Sequence, residues 1–291
     1  MKYLYYPGCS LKGSSRGYEE SILAVFGRLQ FPMEELDGWN CCGATAYMAV
    51  DEVKALALAA RNLALAEDSA GSEPVSLVAP CNSCYLVLSK VQRYMQEFDE
   101  IGRTISQAMR QAGLRYRGDV HVRHPLDVLI NDIGIDAIRQ QVVEPLKGSK
   151  VACYYGCQMV RPYATFDDQY NPTTMDDLLA AMGAEPVPWP LKTRCCGGSL
   201  TGTIEKAGLR LSYILLREAK ERGANVIATC CPLCQFNLEC YQRQMSAMFG
   251  SEVDIPVVYF SQLIGKAMGI DDRALGLNRL FVPLKSASAA V

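Results

Sequence analysis

The 291-residue sequence has little histidine: His121 and His124 are the only two. Imidazole chemistry is confined to that stretch, where His124-Pro125 reads as a strand-to-helix junction and His124 as a packing or capping residue rather than a catalytic one. No block of like charge occurs and the formal net charge is −2, which speaks against a nucleic-acid partner or a basic membrane-binding stripe. No run of about 18 apolar residues is present, so no membrane insertion is expected. The opening MKYLYYPGCS has neither the apolar region nor the cleavage site of a secretory signal, and a cytoplasmic location is the expectation. A G-x-G-x-x-G fingerprint, a flavin signature and a ferredoxin-type Cys-x-x-Cys-x-x-Cys-x-x-x-Cys-Pro run are missing as well. The chain is therefore not expected to oxidise a nicotinamide by itself.

Cysteine, by contrast, is abundant, with 13 residues in a chain that is 49% hydrophobic and 21% charged and long enough for real cores. In a reducing compartment such a set points to metal or redox chemistry rather than disulfides. Ten of the 13 fall into two copies of one pattern: Cys9, Cys41-Cys42-Gly43, Cys81-x-x-Cys84, and Cys157, Cys195-Cys196-Gly197, Cys231-x-x-Cys234. The intervening stretches are 31 and 38 residues in the first copy and 37 and 34 in the second, with Ala70–Pro74 reading as a surface loop that absorbs the longer spacer.

Three segments match across the halves without gaps. KYLYYPGC (Lys2–Cys9) matches KVACYYGC (Lys150–Cys157), VSLVAPCNSC (Val75–Cys84) matches NVIATCCPLC (Asn225–Cys234), and Val120–Asp136 matches Ile255–Asp271. Each reads as a strand followed by a turn or helix, and helices over Val53–Glu67 and Ile204–Arg222 precede the Cys-x-x-Cys strands. The expected fold is α/β: two homologous halves, 1–147 and 148–291, each with a mostly parallel sheet flanked by helices and related by pseudo-twofold symmetry, with two equivalent sites facing a shared cleft. The register opposes Cys9 to Cys157, and sets Cys153, Cys230 and Cys240 opposite Tyr5, Pro80 and Lys90. These three thiols then lack counterparts and read as packing residues.

Soft thiolates select zinc, copper(I) or iron–sulfur clusters. Five per half is one more than a tetrahedral ion uses, and adjacent cysteines point apart, which suits two irons of a polynuclear cluster. Gly43, Gly197 and Gly198 leave room for backbone to approach inorganic sulfide. Two zinc sites in a non-enzymatic scaffold are the bland alternative, and they leave the surplus ligands unexplained. Arg123, Arg161, Lys192 and Arg194 lie near the motifs and could add positive charge, although surface salt-bridging is the commoner role.

YYPGC, WNCCG, APCNSC, YYGC, RCCGG and CCPLC together resemble the cysteine-rich CCG domain family, and their tandem arrangement is similar to the B-type subunits of heterodisulfide reductases. That resemblance implies two noncubane [4Fe-4S] clusters, one held by Cys9, Cys41, Cys42, Cys81 and Cys84 and the other by Cys157, Cys195, Cys196, Cys231 and Cys234. It implies an oxidoreductase that splits a small disulfide, such as that of coenzymes M and B, into two thiols. A ferredoxin-like C-type subunit and a flavin-containing A-type subunit would be its partners. An iron–sulfur electron-transfer subunit of another complex, in sulfur or organic-acid oxidation, is the alternative.

Overall fold

The computed structural model describes residues 1–44 and 46–284. They form two compact units, Met1–Gly13 with Pro32–Pro125, and Ser14–Phe31 with Leu126–Val291. The segment Ser14–Phe31 thus packs in the second unit although it follows the first cysteine. It carries helix α1 (Arg16–Arg28), which no motif announces, and which buries Tyr18, Ile22, Val25 and Phe26. Tyr18 stacks on Tyr259 with ring centroids 4.2 Å apart, and the Ser21 and Ser261 hydroxyls share a hydrogen bond of 2.7 Å.

The first unit holds four parallel strands, β1 (Lys2–Tyr5), β2 (Glu34–Glu35), β3 (Val75–Val78) and β4 (Val120–Arg123), in the order β2-β1-β3-β4. Two long helices belong to it, α2 (Glu52–Ala70) and α3 (Asn82–Glu97). Rich in alanine and leucine, α2 starts where the Asp51 carboxylate accepts the Lys54 amide at 3.0 Å and stops at Gly71. The stretch after it is an exposed loop, as expected for AGSEP. All four residues of β3 are buried, the pattern of a strand covered on both faces.

The second unit repeats this plan with β5 (Lys150–Tyr154), β6 (Glu185–Pro186), β7 (Val226–Thr229) and β8 (Val257–Tyr259), in the order β6-β5-β7-β8, again parallel. Its helices include α4 (Glu205–Glu221), α5 (Pro232–Glu239) and α6 (Phe260–Ala267). Sheet pairing preserves the repeat register: Tyr5↔Val78 and Val78↔Arg123 recur as Cys153↔Ala228 and Ala228↔Val258. The fold is thus α/β, with two parallel sheets flanked by helices. Both expected helices form within a few residues of their bounds.

At the end of α5 the buried Glu239 carboxylate accepts the Phe281 amide at 2.9 Å and the Gln235 side-chain amide. Burial pushes its carboxyl up from 4.5 to about 7. A raised carboxyl favours the protonated folded state, so the stability it confers is present below pH 4.5 and is lost as pH rises through about 7. Relative to Glu239→Gln, the wild type should therefore lose about 3 kcal/mol between about pH 4 and about pH 8. Parallel urea titrations check this, and a pH-independent difference would contradict it.

Candidate metal centres

Adjacent parallel strands carry the cysteines to one sheet edge. Because β1 and β3 pair Tyr5 with Val78, Cys9 just beyond β1 and Cys81 just beyond β3 leave the sheet at the same end. On the other side of β1 lies β2, which leads into Cys41-Cys42. The second sheet repeats the arrangement for Cys157, Cys231 and Cys195-Cys196. Strand C-termini are where parallel sheets build sites. Cys81 and Cys231 are the N-cap residues of α3 and α5, and Cys84 and Cys234 lie in the first helical turns, with Pro232 opening α5. The helix dipole favours thiolate there.

In each unit the structure brings the five predicted cysteines into one string. The Cys9 and Cys41 sulfurs are 3.8 Å apart and those of Cys42 and Cys84 3.4 Å, while thiol hydrogen bonds join Cys41 to Cys42 and Cys84 to Cys81. The string runs Cys9, Cys41, Cys42, Cys84, Cys81. Its counterpart runs Cys157, Cys195, Cys196, Cys234, Cys231, with Cys196 and Cys234 sulfurs 3.6 Å apart. A disulfide needs about 2.05 Å between sulfurs, and all these thiols are free. Two thiolates on one tetrahedral ion at about 2.3 Å stand about 3.8 Å apart, close to what is seen. Among the described residues no group of three or more His, Cys, Asp and Glu side chains is disposed to hold one metal ion. The sulfurs form a string rather than a shell, a donor set that fits a cluster with several irons.

One end of each string is open and the other buried. Cys9, Cys41 and Cys195 are exposed and Cys157 half-buried, whereas Cys42, Cys81, Cys84, Cys196, Cys231 and Cys234 are buried. The last three belong to the second unit's apolar core, beside Tyr154, Leu209 and Ile227. Crowding sets neighbouring thiols of each string against one another. Hydrogen bonds from Cys42 and Cys9 hold Cys41 down at about 2, and those from Cys157 and Cys196 do the same for Cys195. Cys41 in turn pushes Cys42 up to about 12, and Cys195 pushes Cys196 up. Cys9, Cys84, Cys157 and Cys234 are raised too, first by their thiol neighbours and then by burial. Cationic iron would relieve this repulsion and expel the remaining protons.

The motif glycines have a role that their spacing alone does not reveal. Gly43 and Gly197 have φ of +76° and +105°, and a Cβ on either would lie 3.2 Å from Ala55 Cα of α2 or 3.0 Å from Gly208 Cα of α4. The close approach is to a helix backbone. Only Gly198 faces open space.

Other candidates turn out to be engaged. His124 is buried, its Nε2–H donating to the Pro80 carbonyl at 3.2 Å and its ring edge-on to Tyr85. Lys192 is buried on the Asp176 carboxylate at 2.8 Å, and Arg161 donates to the Thr193 carbonyl. Arg194 alone of the basic candidates is exposed beside its cysteine, Arg123 being half-buried. Cys230, though next to Cys231, points to Met159, with sulfurs 3.3 Å apart, and Cys153 is buried on β5. Sequence reasoning passed over Tyr6 and Tyr154. Burial and then four cysteines of each string raise their phenol pKa values. Their shared position, three residues before Cys9 and Cys157, was the available signal.

The family profile described as "Cysteine-rich domain" (CCG) matches residues 3–89 and 151–239. The chain belongs to the CCG cysteine-rich domain family. As a CCG protein it is 31% identical over 280 residues to the 8-methylmenaquinol:fumarate reductase membrane anchor subunit of Wolinella succinogenes, covering 95% of each chain. It is also 31% identical to a protein of Archaeoglobus profundus named as like the heterodisulfide reductase B-type subunit, covering 93% of this chain and 92% of that one. To the B-type subunit of a ferredoxin:CoB-CoM heterodisulfide reductase from Methanosarcina mazei it is 27% identical, with 94% and 91% covered. The resemblance carried by the motifs therefore holds: along nearly its whole length the chain is similar to B-type subunits of heterodisulfide reductases. A crystal structure of a hypothetical protein from Helicobacter pylori shares the fold, with a TM-score of 0.75 at 15% identity over 98% of this chain, which spans 52% of that longer one. Among the described residues of this CCG protein, no helix is long and apolar enough to cross a membrane.

Proposed function

We propose that the chain is the catalytic iron–sulfur subunit of a heterodisulfide reductase-type complex. In this reading Cys9, Cys41, Cys42, Cys81 and Cys84 hold one noncubane [4Fe-4S] cluster in the half 1–147. Cys157, Cys195, Cys196, Cys231 and Cys234 hold a second in the half 148–291. The observation that carries it is the five-sulfur string, built twice in the same order and open at one end. Each cluster would supply one electron, so that two meet the demand of a disulfide, which takes up two electrons and two protons to give two thiols. The chain's own residues hold the sulfurs, bury the Cys-x-x-Cys ends in the core and leave the other ends open to a small disulfide. Electrons would come through a ferredoxin-like C-type subunit from a flavin-containing A-type subunit, in the cytoplasm.

The test is anaerobic reconstitution followed by iron and sulfide analysis and turnover of candidate disulfides with reduced viologen. Two clusters and thiol release are expected, and zinc in place of iron and sulfide would overturn the reading. The 31% identity to the Wolinella succinogenes protein favours a second reading, an electron-transfer subunit of another oxidoreductase complex. Full cluster content with no disulfide turnover would select it.

A further inference from the structure

Tyr6 and Tyr154 do the same thing in both units. Each follows or ends its first strand, is fully buried, and sits three residues before the first cysteine of its string. The Tyr6 hydroxyl donates to the Asn40 carbonyl at 2.7 Å, and the Tyr154 hydroxyl donates to the Arg194 carbonyl at 2.7 Å. Asn40 and Arg194 immediately precede Cys41-Cys42 and Cys195-Cys196. The remaining support of the two loops differs. Asn62 brackets Asn40 on both backbone sides, accepting its amide at 2.9 Å and donating to its carbonyl at 3.0 Å, whereas the Arg194 amide donates to the Leu191 carbonyl at 3.1 Å. The tyrosine bond is the element common to both loops although their sequences have diverged.

The first ring also lies near the string, with Gly8 between them. A Cβ on Gly8, whose φ is +63°, would lie 3.1 Å from Cys84 Sγ and 3.4 Å from Tyr6 Cε1. One phenol thus ties a loop at the exposed end of the string while its ring lies near the buried end. A buried hydroxyl with a single carbonyl acceptor is a rigid tie, because swinging away would leave the phenol hydroxyl unpaired, although the Asn40 carbonyl would keep its bond from Asn62.

We propose that Tyr6 and Tyr154 are positioning residues that set the Cys41-Cys42 and Cys195-Cys196 pairs, each for the centre of its own unit only. The inference rests on the proposed cluster-binding function for its metal-bound readout, and on the hydrogen bonds alone for its metal-free readout. In metal-free protein, Tyr154→Phe should speed amide hydrogen exchange in the loop following Arg194 by about tenfold and leave the loop following Asn40 unchanged. Tyr6→Phe should do the converse, by less, because Asn62 still donates to the Asn40 carbonyl.

In reconstituted protein the centres can be read one at a time, the first in a Cys196→Ala background and the second in Cys42→Ala. Tyr6→Phe should shift the midpoint potential and paramagnetic spectrum of the first centre but not the second, and Tyr154→Phe the reverse. Faster exchange in both loops from either variant, or in neither, overturns the proposal. So does an unshifted spectrum for the centre of the same unit. A wild type that binds no cluster sinks the functional reading, while the exchange experiment still decides the role of the tyrosines.

Discussion

Cys42→Ala or Cys196→Ala should each empty one centre and spare the other, lowering iron and acid-labile sulfide to about half of the wild-type content and abolishing disulfide turnover. Both cysteines are buried and interior to their strings, Cys42 between Cys41 and Cys84, and Cys196 between Cys195 and Cys234. Neither place can be filled by water, and alanine offers no donor. Cys230→Ala is the informative control. Its thiol is adjacent in sequence to Cys231 but turned toward Met159 and the Tyr155 carbonyl. Metal content should be unchanged there, apart from a modest packing loss. A Cys42→Ala protein with full iron, or a Cys230→Ala protein stripped of one cluster, would refute the assignment.

Gly208→Ala should destabilise the second unit by about 3 kcal/mol or more, against the sign that helix propensity predicts. Gly208 lies within α4, where alanine is normally the better residue by about 1 kcal/mol. However, a Cβ there would clash with the Thr201 amide nitrogen and lie 2.7 Å from Thr201 Cα and 2.8 Å from the Leu200 carbonyl carbon. These are backbone atoms and cannot rotate away. Relief requires α4 to move off the turn Gly198–Gly202, which follows directly on Cys195-Cys196-Gly197. Stability and iron retention in the second unit should therefore fall together. Gly202→Ala, with nothing within 4 Å, is the control and should be close to neutral. Urea midpoints of the two variants decide it, and equal midpoints would rule out the close contact as the cause.

Much of this was legible in the chain because duplication supplies an internal comparison. Opposing Lys2–Cys9 to Lys150–Cys157 selected Cys157 over Cys153 as the repeat partner of Cys9, and the sheets keep that register, with Cys153 pairing Ala228 as Tyr5 pairs Val78. Alternating strands and helices, the helices before each Cys-x-x-Cys and the loop at 70–74 all follow from local periodicity and breakers. Two classes of feature were not legible. Short strands such as Glu34–Glu35 and Glu185–Pro186 have no pattern of their own and exist only because β1 and β5 offer an edge. The membership of Arg16–Arg28 in the second unit is likewise invisible, since an amphipathic stretch shows that it has an apolar face without naming its partner.

The sequence by itself determined the α/β class, the twofold plan and the two sets of five cysteines. Residue type, spacing and repeat register are local quantities that survive unfolding of the chain. Only the tertiary structure decided that each set is a string open at one end, that Gly43 and Gly197 are needed where a helix backbone presses on the loop, and that Tyr6 and Tyr154 tie those loops down. Those depend on distances between separate segments, Gly43 to Ala55 and Gly197 to Gly208 within one loop and helix, and Tyr6 to Asn40 and Tyr154 to Arg194 across more than 30 residues, the latter fixed when neighbouring parallel strands bring their C-terminal ends together.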